Sequence, residues 1–131
     1  MAMTEATEKR SLILVVDDEP ELREILREEF EYFGYAVVEA ENGKRALEVL
    51  EANPVDVVIS DIRMPGGNGL DFLNVLITRE GPQPPVILVS AFADVNALDA
   101  AGKGAFAYLS KPYDLEVLMQ QTARAVAQIR R

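Results

Sequence analysis

Asp17, Asp18, Asp61, Ser90 and Lys111 each stand at or just after the end of a short apolar run. Three carboxylates drawn together repel one another strongly, and without a cation one of them tends to take up a proton. A hard divalent ion relieves that repulsion. An oxygen-only donor set with a few carboxylates suits Mg2+, which keeps several of its own waters. The Lys111 ammonium can face an incoming anion or Asp61. The Ser90 hydroxyl can hydrogen-bond a phosphoryl oxygen. A cation, an amine, a hydroxyl and one carboxylate free to attack suit phosphoryl transfer onto an aspartate, with Asp61 attacking in line.

Taken singly, each residue has a plainer reading. Asp17-Asp18-Glu19 is an acidic helix start of the usual kind. Asp61 alone is a loop or capping aspartate, Ser90 a turn residue and Lys111 a solvated lysine. What outweighs these readings is their shared position at strand ends.

The positioning elements follow from apolar patterning. Leu12 to Val16 is a β-branched apolar run, so a buried strand, and it delivers Asp17 and Asp18. Pro20 opens a helix at its first position, where a missing N–H costs nothing, and Gly34 stops it. Leu22, Ile25, Leu26, Phe30 and Phe33 are expected on its inner face. Tyr35 to Glu39 is a shorter, more polar strand, expected at an edge. Asn42 caps a second helix with Ala46, Leu47 and Leu50 inward, ended by Asn53-Pro54.

Val55 to Ile59 forms the central strand and brings Asp61 to its mouth, ahead of a loop through Pro65, Gly66, Gly67 and Gly69. A third helix opens at Asn68 or Gly69, with Leu70, Leu73, Leu76 and Ile77 inward. After the proline-rich connector Gly81 to Pro85 comes a fourth buried strand, Val86 to Val89, ending at Ser90. Ala93 to Lys103 is a weak helix with a thin apolar stripe, expected to be the most mobile ordered element because few apolar contacts hold it. Phe106 to Leu109 is the fifth strand, running into Ser110, Lys111 and Pro112. Asp114 caps the last helix, with Leu115, Leu118, Thr122, Val126 and Ile129 on its buried side. Strand alternating with helix predicts an α/β fold, a parallel sheet with helices on both faces. The functional residues then gather at the C-terminal edge of the sheet, where the strand order reverses.

Composition narrows the chemistry. The chain has 131 residues, 49% of them hydrophobic, which argues for one domain with a real core. It has neither Cys nor His, which removes the usual zinc sites, the Ser-His-Asp triad and thiol chemistry, and places any phosphohistidine on another molecule. A net charge of −9 opposes direct nucleic acid binding. No apolar run is long enough to cross a bilayer, and the polar stretch 1–10 has no hydrophobic signal core; a cytoplasmic protein is the expectation. Residues 1–10 read as a flexible tail and 11–131 as the domain.

Asp17-Asp18, Asp61 with Met64-Pro65 and Gly69 behind it, Ser90-Ala91, and Lys111-Pro112 together resemble the receiver domains of two-component response regulators, including the chemotaxis regulators. The resemblance runs from about Ser11 to Arg130. It implies a flavodoxin-like five-stranded sheet of order 2-1-3-4-5. It implies Asp61 as the phosphoacceptor from a histidine kinase or phosphotransfer protein, and a Mg2+ site made by Asp17, Asp18, Asp61 and the backbone carbonyl of Arg63. Ser90 and Tyr108 would form a switch pair that reshapes the face made by Ala93–Lys103, the fifth strand and the last helix. The Lys111-Pro112 bond would be cis. In relatives the positions of Arg63 and Phe92 tune loss of the phosphoryl group, and Phe92 would do so by limiting access of the attacking water; an exposed partner-surface Phe is the equal alternative there. A plain core aromatic is the alternative reading of Tyr108. The function implied is a phosphorylation switch that assists its own phosphorylation and dephosphorylation, with an output partner or effector domain of unknown kind. A homodimer through the Tyr108 face is compatible with it.

Two other readings stand beside this one. A Mg2+-dependent phosphatase with an aspartyl-phosphate intermediate also combines Asp, Ser and Lys, but its nucleophile follows the first strand in an Asp-x-Asp pattern, which Asp17-Asp18-Glu19 does not match. An inactive receiver used as a scaffold is the third. The chain reads equally as a stand-alone receiver and as part of a longer regulator or hybrid kinase.

Overall fold

Successive residues of a strand point to opposite faces, so a strand apolar at every position asks for cover on both sides. The chain meets that demand in the computed structural model, which describes residues 10–62, 69–91, 104–112 and 114–129. The elements are β1 (Leu12–Val16), α1 (Pro20–Tyr32), β2 (Ala36–Ala40), α2 (Gly43–Ala52), β3 (Val57–Asp61), α3 (Gly69–Thr78), β4 (Val86–Ala91), β5 (Ala107–Lys111) and α4 (Leu115–Ile129). The strands form one sheet of order β2-β1-β3-β4-β5, and every pairing is parallel. The more polar β2 lies at one edge, as its sequence predicts.

The two faces build two cores. Leu14, Val16, Val58 and Leu88 meet Ala46 and Val49 of α2 and Phe72, Leu73 and Leu76 of α3. Ile13, Val15, Val57, Ile59, Ile87 and Val89 meet Leu26 and Phe30 of α1 and Leu118, Met119 and Ala125 of α4. Burying each large side chain contributes about 1.5–3 kcal/mol. The central β3 is buried at every position.

Helix ends follow local chemistry. The Asn42 side chain accepts from the Arg45 N–H at 2.8 Å, and the Asp114 carboxylate accepts from the Glu116 N–H at 2.9 Å. Gly34 leaves α1 with φ +96°, a conformation that residues with a Cβ rarely adopt.

The helical faces are narrower than periodicity predicts. Ile25 and Phe33, expected inward, are 51% and 55% exposed, and Ile77 is 45% exposed. A flat sheet covers only a stripe of each helix, and α1 fills its stripe with Leu26 and Phe30. On α3 the expected Leu73 and Leu76 are buried, and Phe72 is buried beside them. Val49, Met119 and Ala125 are buried without having been expected. The strands also end later than expected: β4 runs to Ala91 and β5 to Lys111, so Ser90 and Lys111 lie inside strands rather than after them. The weak helix expected over 93–103 lies outside the described residues.

Candidate functional site

The site forms where β1, β3 and β5 end. β1 and β3 are neighbours in the sheet, and Val16 of β1 pairs with Ser60 of β3. The residues that follow this pair, Asp17 and Asp61, therefore emerge side by side. Asp17, Asp18 and Asp61 bring carboxylate oxygens within 4.8 Å of one another. Lys111 comes from β5, on the far side of β4. Its long stem reaches across, and the ammonium donates to Asp61 Oδ2 at 3.1 Å and lies 4.0 Å from Asp17 Oδ2.

The backbone fixes each acidic residue. The Asp17 N–H donates to the Ala40 carbonyl at 3.1 Å, and Asp17 Oδ1 accepts from the Glu19 N–H at 2.9 Å. This leaves Oδ2 facing the cluster. The Ser60 hydroxyl, fully buried among apolar neighbours, donates to the Asp61 carbonyl at 2.9 Å. Asp17 and Asp61 are 2% and 7% exposed, whereas Asp18 is exposed.

Burial pushes the Asp17 carboxyl up from 3.8 to about 6; the nearby Asp61 and Asp18 charges add to the rise, and the Glu19 N–H and Lys111 oppose it. Burial by itself would lower the Lys111 ammonium, but its hydrogen bond and ion pair with Asp61 outweigh that and hold it above its usual range. Three hard oxygen donors, one driven toward protonation by its setting, are a donor set that a small divalent cation fits. Lys111 offsets part of the negative charge but leaves Asp18 open to solvent.

Ser90 is 1% exposed and follows Val89, the residue paired with Asp61, so it lies at the same edge of the sheet. Tyr108 is half-buried, pairs with Leu88 and packs against the core on the α2 and α3 side. It therefore lies along β5, set back from the carboxylates. The Lys111-Pro112 peptide is cis, as the resemblance implies. Arg63 and Phe92 lie outside the described residues.

Sequence reading missed one participant. Arg23 of α1 donates through Nη1 to the Asp17 carbonyl at 2.6 Å and through Nε to Glu39 of β2 at 3.0 Å. Arg27, one turn further on, donates to the other Glu39 oxygen. Partial burial of the Glu39 carboxyl would raise it, but the two arginines hold it below its usual range. The signal available was the Arg23/Arg27 spacing, which puts both on one helical face.

The chain matches the family model for the response regulator receiver domain over residues 13–123. It is 38% identical over 120 residues to the DNA-binding transcriptional regulator NtrC of Escherichia coli, covering 91% of this chain and 25% of that protein. It is 37% identical over 118 residues to the response regulator protein PilR of Pseudomonas aeruginosa, covering 89% and 26%. The chain thus spans about a quarter of the length of these curated relatives. Among solved structures, it is similar to a response regulator receiver domain protein of Clostridium thermocellum, with TM-score 0.83, 32% identity and coverage of 92% and 97%. It is also similar to the response regulator TrrA of Thermotoga maritima, solved in complex with Mg2+ and BeF, with TM-score 0.79, 33% identity and coverage of 88% and 98%.

Proposed function

Because the chain belongs to the response regulator receiver domain family, we propose that Asp61 accepts a phosphoryl group from the phosphohistidine of a histidine kinase or phosphotransfer protein. The observation that carries this reading is the Lys111 ammonium 3.1 Å from Asp61 Oδ2, beside the Asp17 and Asp18 carboxylates. In the transfer, a bond forms from an Asp61 carboxylate oxygen to phosphorus. The bond from phosphorus to the donor imidazole nitrogen breaks, and that nitrogen keeps the electron pair.

Asp17, Asp18, Asp61 and the Arg63 backbone carbonyl would hold Mg2+, as the carboxylate donor set and the Mg2+-bound Thermotoga relative support. When bound, the ion supplies positive charge to the phosphoryl oxygens. Lys111 orients Asp61 before transfer and neutralises a phosphoryl oxygen after it. Ser90 donates its hydroxyl to another phosphoryl oxygen. The same groups assist attack by water on the acyl phosphate, and Arg63 and Phe92 set how fast that happens.

The added charge of about −1.5 to −2 shifts the domain only by favouring one of two arrangements. Ser90 and Tyr108 are the pair that carries the shift to the face of 93–103, β5 and α4. That face engages an output domain or partner, or a second copy of the chain. The receiver unit occupies 11–131, with 1–10 as a tail. No helix among the described residues is long and apolar enough to cross a membrane. That fits a cytoplasmic setting beside a kinase, and the charge of −9 leaves nucleic acid contact to other parts of a regulator.

The test is incubation with Mg2+ and acetyl phosphate, followed by intact mass measurement. Wild type is expected to gain one phosphoryl group and Asp61→Asn none. Labelling of Asp61→Asn at the wild-type level would refute the assignment of Asp61. Sustained turnover of a phosphate monoester would favour the phosphatase reading instead.

A further inference from the structure

Asp17 is held from three directions. Its N–H is tied to Ala40, its Oδ1 to the Glu19 N–H, and its carbonyl to the Arg23 guanidinium. The third tie is the only one of the three made by a side chain from outside the strand-end turn. The Arg23 side chain is 18% exposed and serves two acceptors at once, Asp17 O at 2.6 Å and Glu39 Oε1 at 3.0 Å. A planar fork is suited to this double task, whereas an ammonium is a single point charge. Glu39 is itself fixed, because it pairs with Val15 in the sheet and takes Arg27 on its second oxygen.

We propose that Arg23 is a positioning residue of the metal site: anchored on Glu39, it fixes the Asp17 peptide and so aims Asp17 Oδ2 at the position between Asp18 and Asp61. The inference rests on the reading of that carboxylate cluster as the Mg2+ site. The chain of contact is short. β2 holds Glu39, Glu39 holds Arg23, Arg23 holds the Asp17 carbonyl, and the Asp17 side chain leaves the same α-carbon. Loosening the peptide lets a buried carboxylate turn away from its two like-charged neighbours, which repel it whenever no cation is bound. Arg23 holds it against that repulsion before the ion arrives. Residues that orient metal ligands without touching the metal commonly change affinity by about 10–100-fold when removed.

Arg27 provides an internal control. It shares Glu39 with Arg23 but makes no contact with Asp17 among the described residues. A role limited to holding α1 on β2 would show equally in both arginines.

The experiment is a Mg2+ titration of wild type, Arg23→Met and Arg27→Met, followed by amide NMR, which reports folding and affinity in one spectrum. Arg23→Met is expected to weaken Mg2+ about 10-fold, and Arg27→Met less than about two-fold. Equal losses in both variants, or no loss in Arg23→Met, would overturn the positioning role. Should Arg23→Met not fold, Arg23→Lys takes its place: a single ammonium nitrogen cannot occupy both the Nε and the Nη1 positions that Arg23 uses, so a loss of at least about three-fold is expected, and unchanged affinity overturns the proposal. Absence of any Mg2+ response in wild type would instead refute the metal site itself, and the positioning role with it.

Discussion

Replacing Asp17 with Asn should make the metal-free domain more stable while removing its function. Asp17 is 2% exposed, and burial pushes its carboxyl up from 3.8 to about 6. A carboxyl raised in this way binds its proton more tightly in the folded state than in the unfolded state. Its ionisation therefore works against folding. The penalty is absent below the unfolded value, grows between 3.8 and about 6, and is constant above that. A difference of this size corresponds to about 3 kcal/mol at neutral pH. Asn escapes the penalty but turns the charge-assisted bond from the Glu19 N–H into a neutral one, giving back about 1 kcal/mol. Asp17→Asn should thus gain about 1–2 kcal/mol at pH 7.5 in EDTA, or several degrees in Tm. The gain should shrink by about 1 kcal/mol at pH 5, where wild-type Asp17 is mostly protonated when folded. Urea denaturation of both proteins at the two pH values measures this. Mg2+ should then stabilise wild type and leave the variant nearly unmoved. A variant less stable than wild type at pH 7.5, or a gain that ignores pH, would refute the reasoning.

Two further outcomes follow from single contacts. Lys111→Met removes the ammonium 3.1 Å from Asp61 and 4.0 Å from Asp17; labelling by acetyl phosphate should fall more than about 10-fold while Mg2+ binding persists, since a competing cation is gone, and labelling at the wild-type rate would exclude Lys111 from the transfer. Gly104 has φ +146°, and a Cβ there would meet Ile77 Cγ2 at 2.9 Å. Gly104→Ala should therefore cost about 1–3 kcal/mol in urea denaturation, and a neutral result would mean that the turn shifts freely. Pairing it with Ile77→Ala separates the two causes, because the second change relieves the collision but not the backbone strain.

The site was legible because its logic is topological. Asp17 and Lys111 are far apart in the chain, yet each stands at the end of an apolar strand, and a parallel sheet brings all such ends to one edge. Residue type and position relative to the strand then suffice to place Asp17, Asp18, Asp61 and Lys111 together, and the structure brings their charged groups together. Helix faces were less legible. Periodicity reports that Ile25 and Phe33 share an arc with Leu26 and Phe30, but the width of the arc that the sheet covers depends on how the helix lies on it, which no local pattern encodes. Arg23 was hidden for a related reason. Its partner Glu39 is defined by the pairing of β1 with β2, in which Val15 faces Glu39, and a register of that kind belongs to two strands at once. The same register that conceals the Arg23–Glu39 contact from the sequence gives it value in the fold, because an anchor on the neighbouring strand resists the local repulsion among carboxylates that the strand-end turn alone would have to bear.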